Sequence, residues 1–158
     1  MKVLHITNEI TKKNFSIASL ICFISNHLYK SYKFDYSILT SKAERDLFDD
    51  KKINTIELTT WISIFFKIKN LSKKIFNFDV VHIHGIWAPI QILSILVCNL
   101  KYKKYVIHPH GMLLDEALRS TGYFKFVYKK IFLFFFKYLI TDKTFFVFIT
   151  DQEKNSIK

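Results

Sequence analysis

The sequence predicts an α/β fold of the Rossmann-like, doubly wound type, with a mainly parallel sheet and helices on both faces. Short β-rich runs alternate with segments of helical periodicity along the whole chain. The run at 79–83 is nearly continuously apolar, which fits a strand buried on both sides. The 158 residues, of which 50% are hydrophobic and 17% aromatic, suit one compact domain and exclude a disordered chain.

The elements follow in order. β-rich runs predict strands at 2–6, 35–40, 53–58, 80–84, 105–108 and 145–149. Apolar residues at helical spacing predict helices at 15–29, 60–76, 89–100 and 123–139. Thr150 followed by Glu153 forms a capping box, in which the hydroxyl accepts an amide proton and the carboxylate reaches back. Because the helix it opens has barely begun at Lys158, we expect the sequence to continue in a longer relative.

The charge is strongly positive, at +11, and almost all of it is lysine, since Arg45 and Arg119 are the two arginines. Lysine is a flexible point charge, poorly suited to reading base edges with a fork of hydrogen bonds. We therefore expect no specific nucleic-acid partner. Attraction to other anions stays open: a phosphorylated lipid, an anionic membrane surface or a nucleotide.

Compartment and membrane topology follow from short segments. Cys22 and Cys98 lie in apolar helical patterns and are predicted to be small buried side chains in a reducing compartment. The apolar start is too short for a signal peptide. The uncharged run 80–100 contains His, Gly, Pro and Gln, so it is interpreted as strand, turn and helix. We predict a cytoplasmic protein, soluble or peripheral on the inner face of the membrane.

Two strand ends carry His-x-His followed by glycine: His82 and His84 before Gly85, and His108 and His110 before Gly111. In parallel sheets, ligands bind at the carboxyl ends of strands, and glycine lets the backbone approach a ligand closely. We therefore predict that His84 and His110 face a ligand. His82 and His108 are predicted to be strand histidines that are hydrogen-bonded inside the core.

The same histidines are open to a second interpretation. Two His-x-His ends on neighbouring strands could gather imidazoles around zinc. The nearest carboxylates, Asp115 and Glu116, have no diagnostic spacing. We predict no metal site, and we keep a metal-dependent hydrolase as an alternative.

These motifs carry a family resemblance. The segments 79–87, 108–113 and 117–119, together with Thr150, Glu153 and the first strand, resemble the N-terminal domain of family 4 glycosyltransferases. These are retaining, sugar-nucleotide-dependent enzymes with the two-domain GT-B architecture. The resemblance covers nearly the whole chain and is densest from Asp79 to Glu153.

The resemblance implies that residues 1–158 are a single acceptor-side domain and that the donor domain, with its Glu-x7-Glu motif, is absent. It implies no cofactor, because the nucleotide sugar is a substrate bound mainly by the missing domain. It places His110 at the reaction centre as the catalytic residue, where an imidazole can hydrogen-bond a sugar hydroxyl and stabilise developing charge. The implied substrate-binding residues are His84, Gly85, Trp87, Gly111, Lys13, Asn14 and Ser16.

The loop after the first strand departs from the family pattern. The family has a Gly-Gly pair there, whereas this chain has Phe15 and Ser16, and a phenylalanine side chain would crowd a diphosphate. Lys12 and Lys13 could still attract phosphate as point charges. This departure and the missing domain lead us to predict that the chain alone does not catalyse transfer.

The segment 123–137 is apolar on most sides and carries a lysine stripe. Such a helix suits an anionic membrane surface, or burial between the sheet and a second domain with its lysines at the edge. We favour burial. The basic residues Lys67, Lys69, Lys73 and Lys74 are interpreted as a solvated face.

Together these inferences predict a hexosyltransferase-like domain in surface polysaccharide or lipopolysaccharide biosynthesis, with a sugar or lipid-linked glycan as acceptor. The alternatives are a non-catalytic binding or assembly module that needs a separately encoded donor domain, and the metal-dependent hydrolase.

Overall fold

A computed structural model describes residues 1–12, 15–44, 53–55, 61–120 and 122–156. The strands are β1 (Lys2–Ile10), β2 (Asp35–Ala43), β3 (Ile53–Thr55), β4 (Val80–His84), β5 (Tyr105–His108) and β6 (Thr144–Phe146). The helices are α1 (Phe15–Tyr32), α2 (Trp61–Phe76), α3 (Pro89–Leu100), α4 (Asp115–Arg119), α5 (Tyr123–Phe136) and α6 (Asp151–Asn155), and a 3-10 turn follows α5 at Lys137–Leu139.

The strands of the described residues form one parallel sheet in the order β3-β2-β1-β4-β5-β6. This confirms the predicted α/β, Rossmann-like fold. The chain winds outward in one direction from β1 to β3 and in the other from β4 to β6, so the strand order reverses between β1 and β4. At such a reversal the loops on either side diverge and leave a crevice at the carboxyl ends of the strands.

The core lies around the central strands, because their side chains are covered on both faces. Leu4, Ile6, Val81, Ile83 and Ile107 are all buried in one cluster. A smaller cluster forms where α1 packs beside β1 and β2, around Ile10, Ala18, Ile21 and Ile38. The rigid central strands fix the positions of the side chains at their carboxyl ends.

Several predicted boundaries were wrong, mostly at carboxyl ends. β1 continues to Ile10 and β2 to Ala43, because the parallel ladder between them runs on through Glu9 and Lys42. α1 extends to Tyr32, α5 gives way to the 3-10 turn, and α4 was not predicted. β6 is shorter than predicted, although the amide of Val147 still donates to the carbonyl of Ile107 at 2.9 Å. The predicted strand residues 56–58 and Thr60 lie outside the described residues.

The predicted capping box at Thr150 is confirmed for one of its two hydrogen bonds. Its hydroxyl accepts a hydrogen bond from the amide of Glu153 at 3.1 Å, as predicted. The Glu153 carboxylate reaches the amide of Ile149 at 3.2 Å, one residue before the expected partner. The cysteine prediction holds for Cys98, which is buried, whereas Cys22 is half-buried.

Helix α5 is less buried than predicted. Its inward residue Phe136 joins the main core, and Phe132 and Leu133 pack against that core. Phe126 is half-buried, and the remaining large apolar side chains of α5 are exposed, including Tyr123, Phe124, Tyr128, Ile131, Phe134 and Phe135. Among the described helices, none is both long enough and apolar enough to cross a bilayer.

Candidate functional site

A small cleft lies where the strand order reverses. It is lined by Thr7, Asn8 and Glu9 at the end of β1, by His84 at the end of β4, and by side chains of the following segments: Ile17, Trp87, Ala88, Gln91 and Met112. Its volume is about 150 Å³. The cleft therefore occupies the position at which a doubly wound sheet binds its ligand.

Five imidazoles gather beside this cleft. His5 pairs with His82 across β1 and β4, and His84 pairs with His108 across β4 and β5. His82 and His84 stack with ring centroids 4.1 Å apart, and His108 and His110 stack at 3.8 Å. The two-residue period of β4 puts His82 and His84 on one side of the sheet, and parallel register sets His5 and His108 beside them. His110 lies beyond the end of β5 and joins them through the turn that follows.

Three of the imidazoles form a hydrogen-bonded chain. Nδ1 of His5 lies 2.9 Å from Nε2 of His84, and Nδ1 of His84 lies 2.9 Å from Nε2 of His110. A neutral imidazole has one N–H donor and one acceptor nitrogen, so His84 must donate through one nitrogen and accept through the other. The tautomers of the three rings are therefore coupled from the interior to His110.

The backbone conformation at His110 allows its ring to contact His84. His110 has a φ of +59°, and the following Gly111 has a φ of +79°. Positive φ is uncommon for residues other than glycine, although histidine is among those that adopt it. These two residues turn the chain back after β5, so that the His110 ring reaches His84 and stacks on His108.

Gly85 and Gln91 hold the loop after β4. Gly85 has a φ of +87°, and its amide donates to the carbonyl of His108 at 2.8 Å. A Cβ at this position would lie 2.6 Å from Nε2 of Gln91, so any larger residue here requires the Gln91 side chain to move, in addition to the strain of the positive φ. Gln91 in turn donates to the carbonyl of His84 and accepts from the amide of Ala88. This arrangement ties the start of α3 to the end of β4.

The array is electrically neutral near pH 7. Burial lowers the pKa of His5 and of His110 to about 4. Burial lowers the pKa of His82 to about 3, with His5 and His108 adding to the effect. The pKa of His84 lies well below 6.5, first because of burial and then because four other imidazoles surround it. Neutral imidazoles can donate and accept hydrogen bonds or bind metal ions.

The structure brings most of the predicted site residues together. His84 and Trp87 line the cleft, Gly85 and Gly111 shape the two turns, and His110 contacts His84. Ser16 lies exposed in the first turn of α1, beside the lining residue Ile17. Lys13 and Asn14 lie outside the described residues. The functional roles assigned to these residues remain predictions.

His82 and His108 only partly match expectation. His108 is buried and His82 half-buried, but Nε2 of His82 and Nδ1 of His108 have no hydrogen-bond partner among the described residues. The prediction that both are satisfied inside the core is therefore wrong for these atoms.

Sequence reasoning assigned neither His5 nor Gln91 to the site, and it named Glu153 only in the capping box and in the family resemblance. His5 lies on the same side of the first strand as Val3 and Thr7, and a histidine at such a position could have been noticed in the sequence. Only the strand order, however, reveals that β1 lies beside β4. Glu153 is fully buried, its Oε1 has no hydrogen-bond partner in the described part of the chain, and its charge opposes the lowering of the His108 pKa by burial. No local pattern places this carboxylate near β5.

Trp87 connects the cleft to helix α5. Its ring lies 5.1 Å from the ring of Phe132, and Nζ of Lys129 lies 5.4 Å from the Trp87 centroid. The same lysine donates to the carbonyl of Ala117 at 3.2 Å. The wall of the cleft that Trp87 forms is therefore supported by α5.

Comparisons with known proteins bear on the fold. No family model matches the chain, and no curated protein matches it. A solved structure assigned as a UDP-N-acetylglucosamine 2-epimerase from Listeria monocytogenes is similar to it, with a TM-score of 0.63 at 13% sequence identity over 99% of this chain. The chain spans 40% of that protein's length. At this identity the likeness establishes the fold alone: a Rossmann-like α/β domain that matches a GT-B-type neighbour.

Proposed function

We propose that this chain is the acceptor-side half of a retaining, sugar-nucleotide-dependent hexosyltransferase that acts in surface polysaccharide or lipopolysaccharide biosynthesis. The observation that carries the proposal is the His84–His110 pair, joined at 2.9 Å beside the crevice where the strand order reverses. The likeness of the fold to a GT-B-type protein supports it, and so does the family resemblance of the two histidine motifs.

His110 is the proposed catalytic residue. It is half-buried, and its Nδ1 makes no hydrogen bond to a described residue, so this nitrogen is available to a sugar hydroxyl. His84 and His5 are positioning residues, because their hydrogen bonds decide whether Nδ1 of His110 carries the proton. A neutral, oriented imidazole can bind a hydroxyl without the desolvation penalty of a charged group.

The proposed site is one half of a larger one. Its volume of about 150 Å³ lies below the roughly 300–1,000 Å³ of complete ligand pockets. A cleft of this size suits part of an acceptor, and a nucleotide sugar would need a second wall. We therefore propose that a donor domain supplies that wall and that this chain alone does not turn over sugar nucleotides.

Binding of sugars to the metal-free chain tests the proposal. Saturation-transfer NMR with hexoses, short oligosaccharides and UDP-hexoses should show saturable binding that His110→Ala and Trp87→Ala each weaken about tenfold, the loss of one hydrogen bond or contact. His27→Ala is the matched control, because His27 is an exposed histidine on α1. Absence of saturable binding, or binding that neither variant weakens, would overturn the proposal.

Turnover of UDP-hexoses tests separately whether the active site of this chain is incomplete. The purified chain should release no UDP from UDP-hexoses in the presence of glycan acceptors. Release by the chain alone that His110→Ala abolishes would show that the active site is already complete.

We further propose that α5 rests on an anionic membrane surface, near a lipid-linked acceptor. Exposed aromatic side chains and the exposed Lys125 lie on the same helix, a composition that binds the interface between anionic headgroups and acyl chains. The contact between Trp87 and Phe132 joins α5 to the wall of the cleft, which supports a membrane-bound acceptor as the partner of this site.

Vesicle co-sedimentation tests the membrane contact. The chain should bind vesicles containing phosphatidylserine in preference to phosphatidylcholine alone, and added salt should weaken binding. Phe124→Ser with Lys125→Glu should reduce binding about fivefold or more, since each basic residue near the surface contributes about 1 kcal/mol. Tyr102→Ser with Lys104→Glu removes an equally exposed pair from the turn after α3 and should have little effect. Equal losses for the two pairs would contradict a specific α5 contact.

A further inference from the structure

Three of the five imidazoles have the spacing of a metal site. His84, His108 and His110 each offer one ring nitrogen, and the three nitrogens lie within 4.8 Å of one another. His84 and His108 end neighbouring strands in register, and the left-handed backbone of His110 returns the third ring to the other two. The arrangement is fixed by strands and a tight turn, so the ligands are largely preorganised.

We propose that His84, His108 and His110 bind a divalent transition-metal ion, with Zn²⁺ as the preferred ion. Imidazole nitrogen suits zinc, copper and nickel, whereas magnesium and calcium require oxygen ligands. Three histidines leave a fourth coordination position open to water or to a bound molecule. The site shares His84 and His110 with the proposed sugar site, but three converging imidazoles can bind an ion whether or not glycosyl transfer takes place. It departs from the sequence-based expectation of no metal.

The hydrogen bonds already present fit this ion. Nδ1 of His84 and Nε2 of His110 are 2.9 Å apart, and Zn–N bonds of about 2.0–2.1 Å need ligand atoms only slightly farther apart. If Nδ1 of His84 binds the ion, its proton resides on Nε2 and donates to Nδ1 of His5. A metal-bound histidine normally donates its other N–H in this way, so His5 provides the outer support.

Buried ring nitrogens without a hydrogen-bond partner among the described residues occur throughout the array: Nε2 of His5 and of His82, and Nδ1 of His108 among the proposed ligands. Nδ1 of His108 is buried with no hydrogen-bond partner in the described ranges, and leaving a buried polar atom unpaired costs about 1–3 kcal/mol. The fully buried carboxylate of Glu153 acts electrostatically on His108, and its Oε1 is also unpaired within those ranges. A cation at this position would give both groups favourable partners.

A metal ion can reach the three histidine ligands, and these ligands are neutral. His84 lines the open cleft and His110 is half-buried, so the three nitrogens lie at the edge of the interior. A second group, His5, His82 and His84, has similar spacing. It shares His84 with the first group, and one neutral imidazole gives its single lone pair to one ion. We assign the ion to the group that contains His110, because His5 lies within the sheet.

Calorimetry and thermal melting of tag-free protein stripped with a chelator and dialysed test the site. Zn²⁺ should bind at about one equivalent per chain and raise the Tm by about 5–10 °C when its free concentration is a hundred times Kd. Mg²⁺ should do neither. His108→Gln and His110→Gln should each weaken Zn²⁺ binding at least about tenfold, by analogy with the loss of groups that support metal ligands.

Two variants separate this site from its rivals. His27→Gln, on the exposed face of α1, and His82→Gln, in the same array but outside the three ligands, should retain Zn²⁺ binding. Loss with His82→Gln but not with His108→Gln would move the ion to the other group and overturn the assignment.

A measurement on the unmutated chain covers the case in which a variant fails to fold. Zn²⁺ should shift the ring ¹⁵N resonances of three histidines, including the two that are hydrogen-bonded to each other. Unchanged ring ¹⁵N resonances, or substoichiometric binding, would overturn the proposal. None of these measurements uses a sugar, so failure here leaves the sugar-binding test unaffected.

Discussion

In most folded proteins apolar side chains are buried and polar ones are exposed, and the histidine array and helix α5 depart from this rule in opposite ways. The array places five polar rings within and just after three neighbouring central strands. Three of the rings are buried, and some of their nitrogens have no partner in the described part of the chain. Helix α5 holds a row of phenylalanine and tyrosine side chains in solvent. Neither arrangement favours the folded chain by itself, since buried polar groups and exposed apolar patches both carry a penalty or a liability.

The difference lies in what each region lacks. In the array, ring nitrogens of His5, His82 and His108 have no hydrogen-bond partner among the described residues, and a small ligand in a cleft can supply one. Helix α5 lacks an apolar cover, which requires an extended surface. The two regions meet at Trp87, which lines the cleft and contacts Phe132 on the inner face of α5.

The largest expected effect tests whether α5 contributes stability through its inner face and not through its outer face. Phe135 and Phe136 are neighbours, with 62% and 2% of their surface exposed. Phe136→Ala should lower the free energy of unfolding by about 3–5 kcal/mol, because it removes a buried ring from the core. Phe135→Ala should change it by no more than about 0.5 kcal/mol. Urea denaturation measures both, and equal losses would show that the outer face of α5 is packed.

The imidazoles of the array are neutral because burial lowers their pKa values. Cys98 offers a test of whether burial shifts pKa values in this protein, at a position away from the histidines. Burial raises the pKa of Cys98 from 9.0 to about 12 and that of half-buried Cys22 to about 11. In single-thiol variants, iodoacetamide at pH 8.5 should modify folded Cys98 about a thousandfold, and Cys22 about a hundredfold, more slowly than denatured chain, since the thiolate reacts. Because the folded pKa is the higher one, the associated stability is present below pH 9 and is lost as the pH rises above it.

Equal labelling of the folded and denatured forms would show that burial at α3 does not suppress ionisation. The control is each thiol in urea, where both variants should react at the same rate.

Gly85 tests how tightly the array is built. An alanine there meets both a positive φ and the Gln91 amide at 2.6 Å, whereas Gly122, with the same φ of +87°, has open space around it. Gly122→Ala should lower the free energy of unfolding by about 1 kcal/mol for the backbone conformation alone. Gly85→Ala should cost about 1–2 kcal/mol more, as overpacking does.

The difference between these two variants isolates the steric contribution from the shared backbone cost. If thermal or urea unfolding gives the same loss for both, Gln91 moves aside and the loop is softer than its hydrogen bonds indicate.

The smallest effect concerns Thr150, which caps the helix that brings Glu153 to the array. Thr150→Ala should lower the free energy of unfolding by about 1 kcal/mol through loss of the bond to the Glu153 amide. Ser156→Ala removes an exposed hydroxyl from the other end of α6 and should stay within about 0.5 kcal/mol. A larger effect from Ser156 would show that the C-terminal end, and not the cap, stabilises α6.

The fold class could be predicted from the sequence because strand and helix periodicities are local. The bounds of β4, α3 and β5 were predicted to the residue, since a buried parallel strand is apolar throughout and Pro89 marks the start of a helix. The extension of β1 through Thr7, Asn8 and Glu9 was not predicted, because polar residues at a strand end resemble a loop when their neighbours are unknown.

The candidate site likewise has one part that could be predicted from the sequence and one part that could not. By itself the sequence determined that His84 and His110 lie at or just beyond strand ends and precede glycines, because two-residue spacing and turn chemistry depend on consecutive residues. Tertiary structure alone decided that His5 joins them, that Gln91 fills the space behind Gly85 and that Glu153 approaches His108. These contacts connect residues up to 79 positions apart, and strand order, which no local pattern encodes, brings them together.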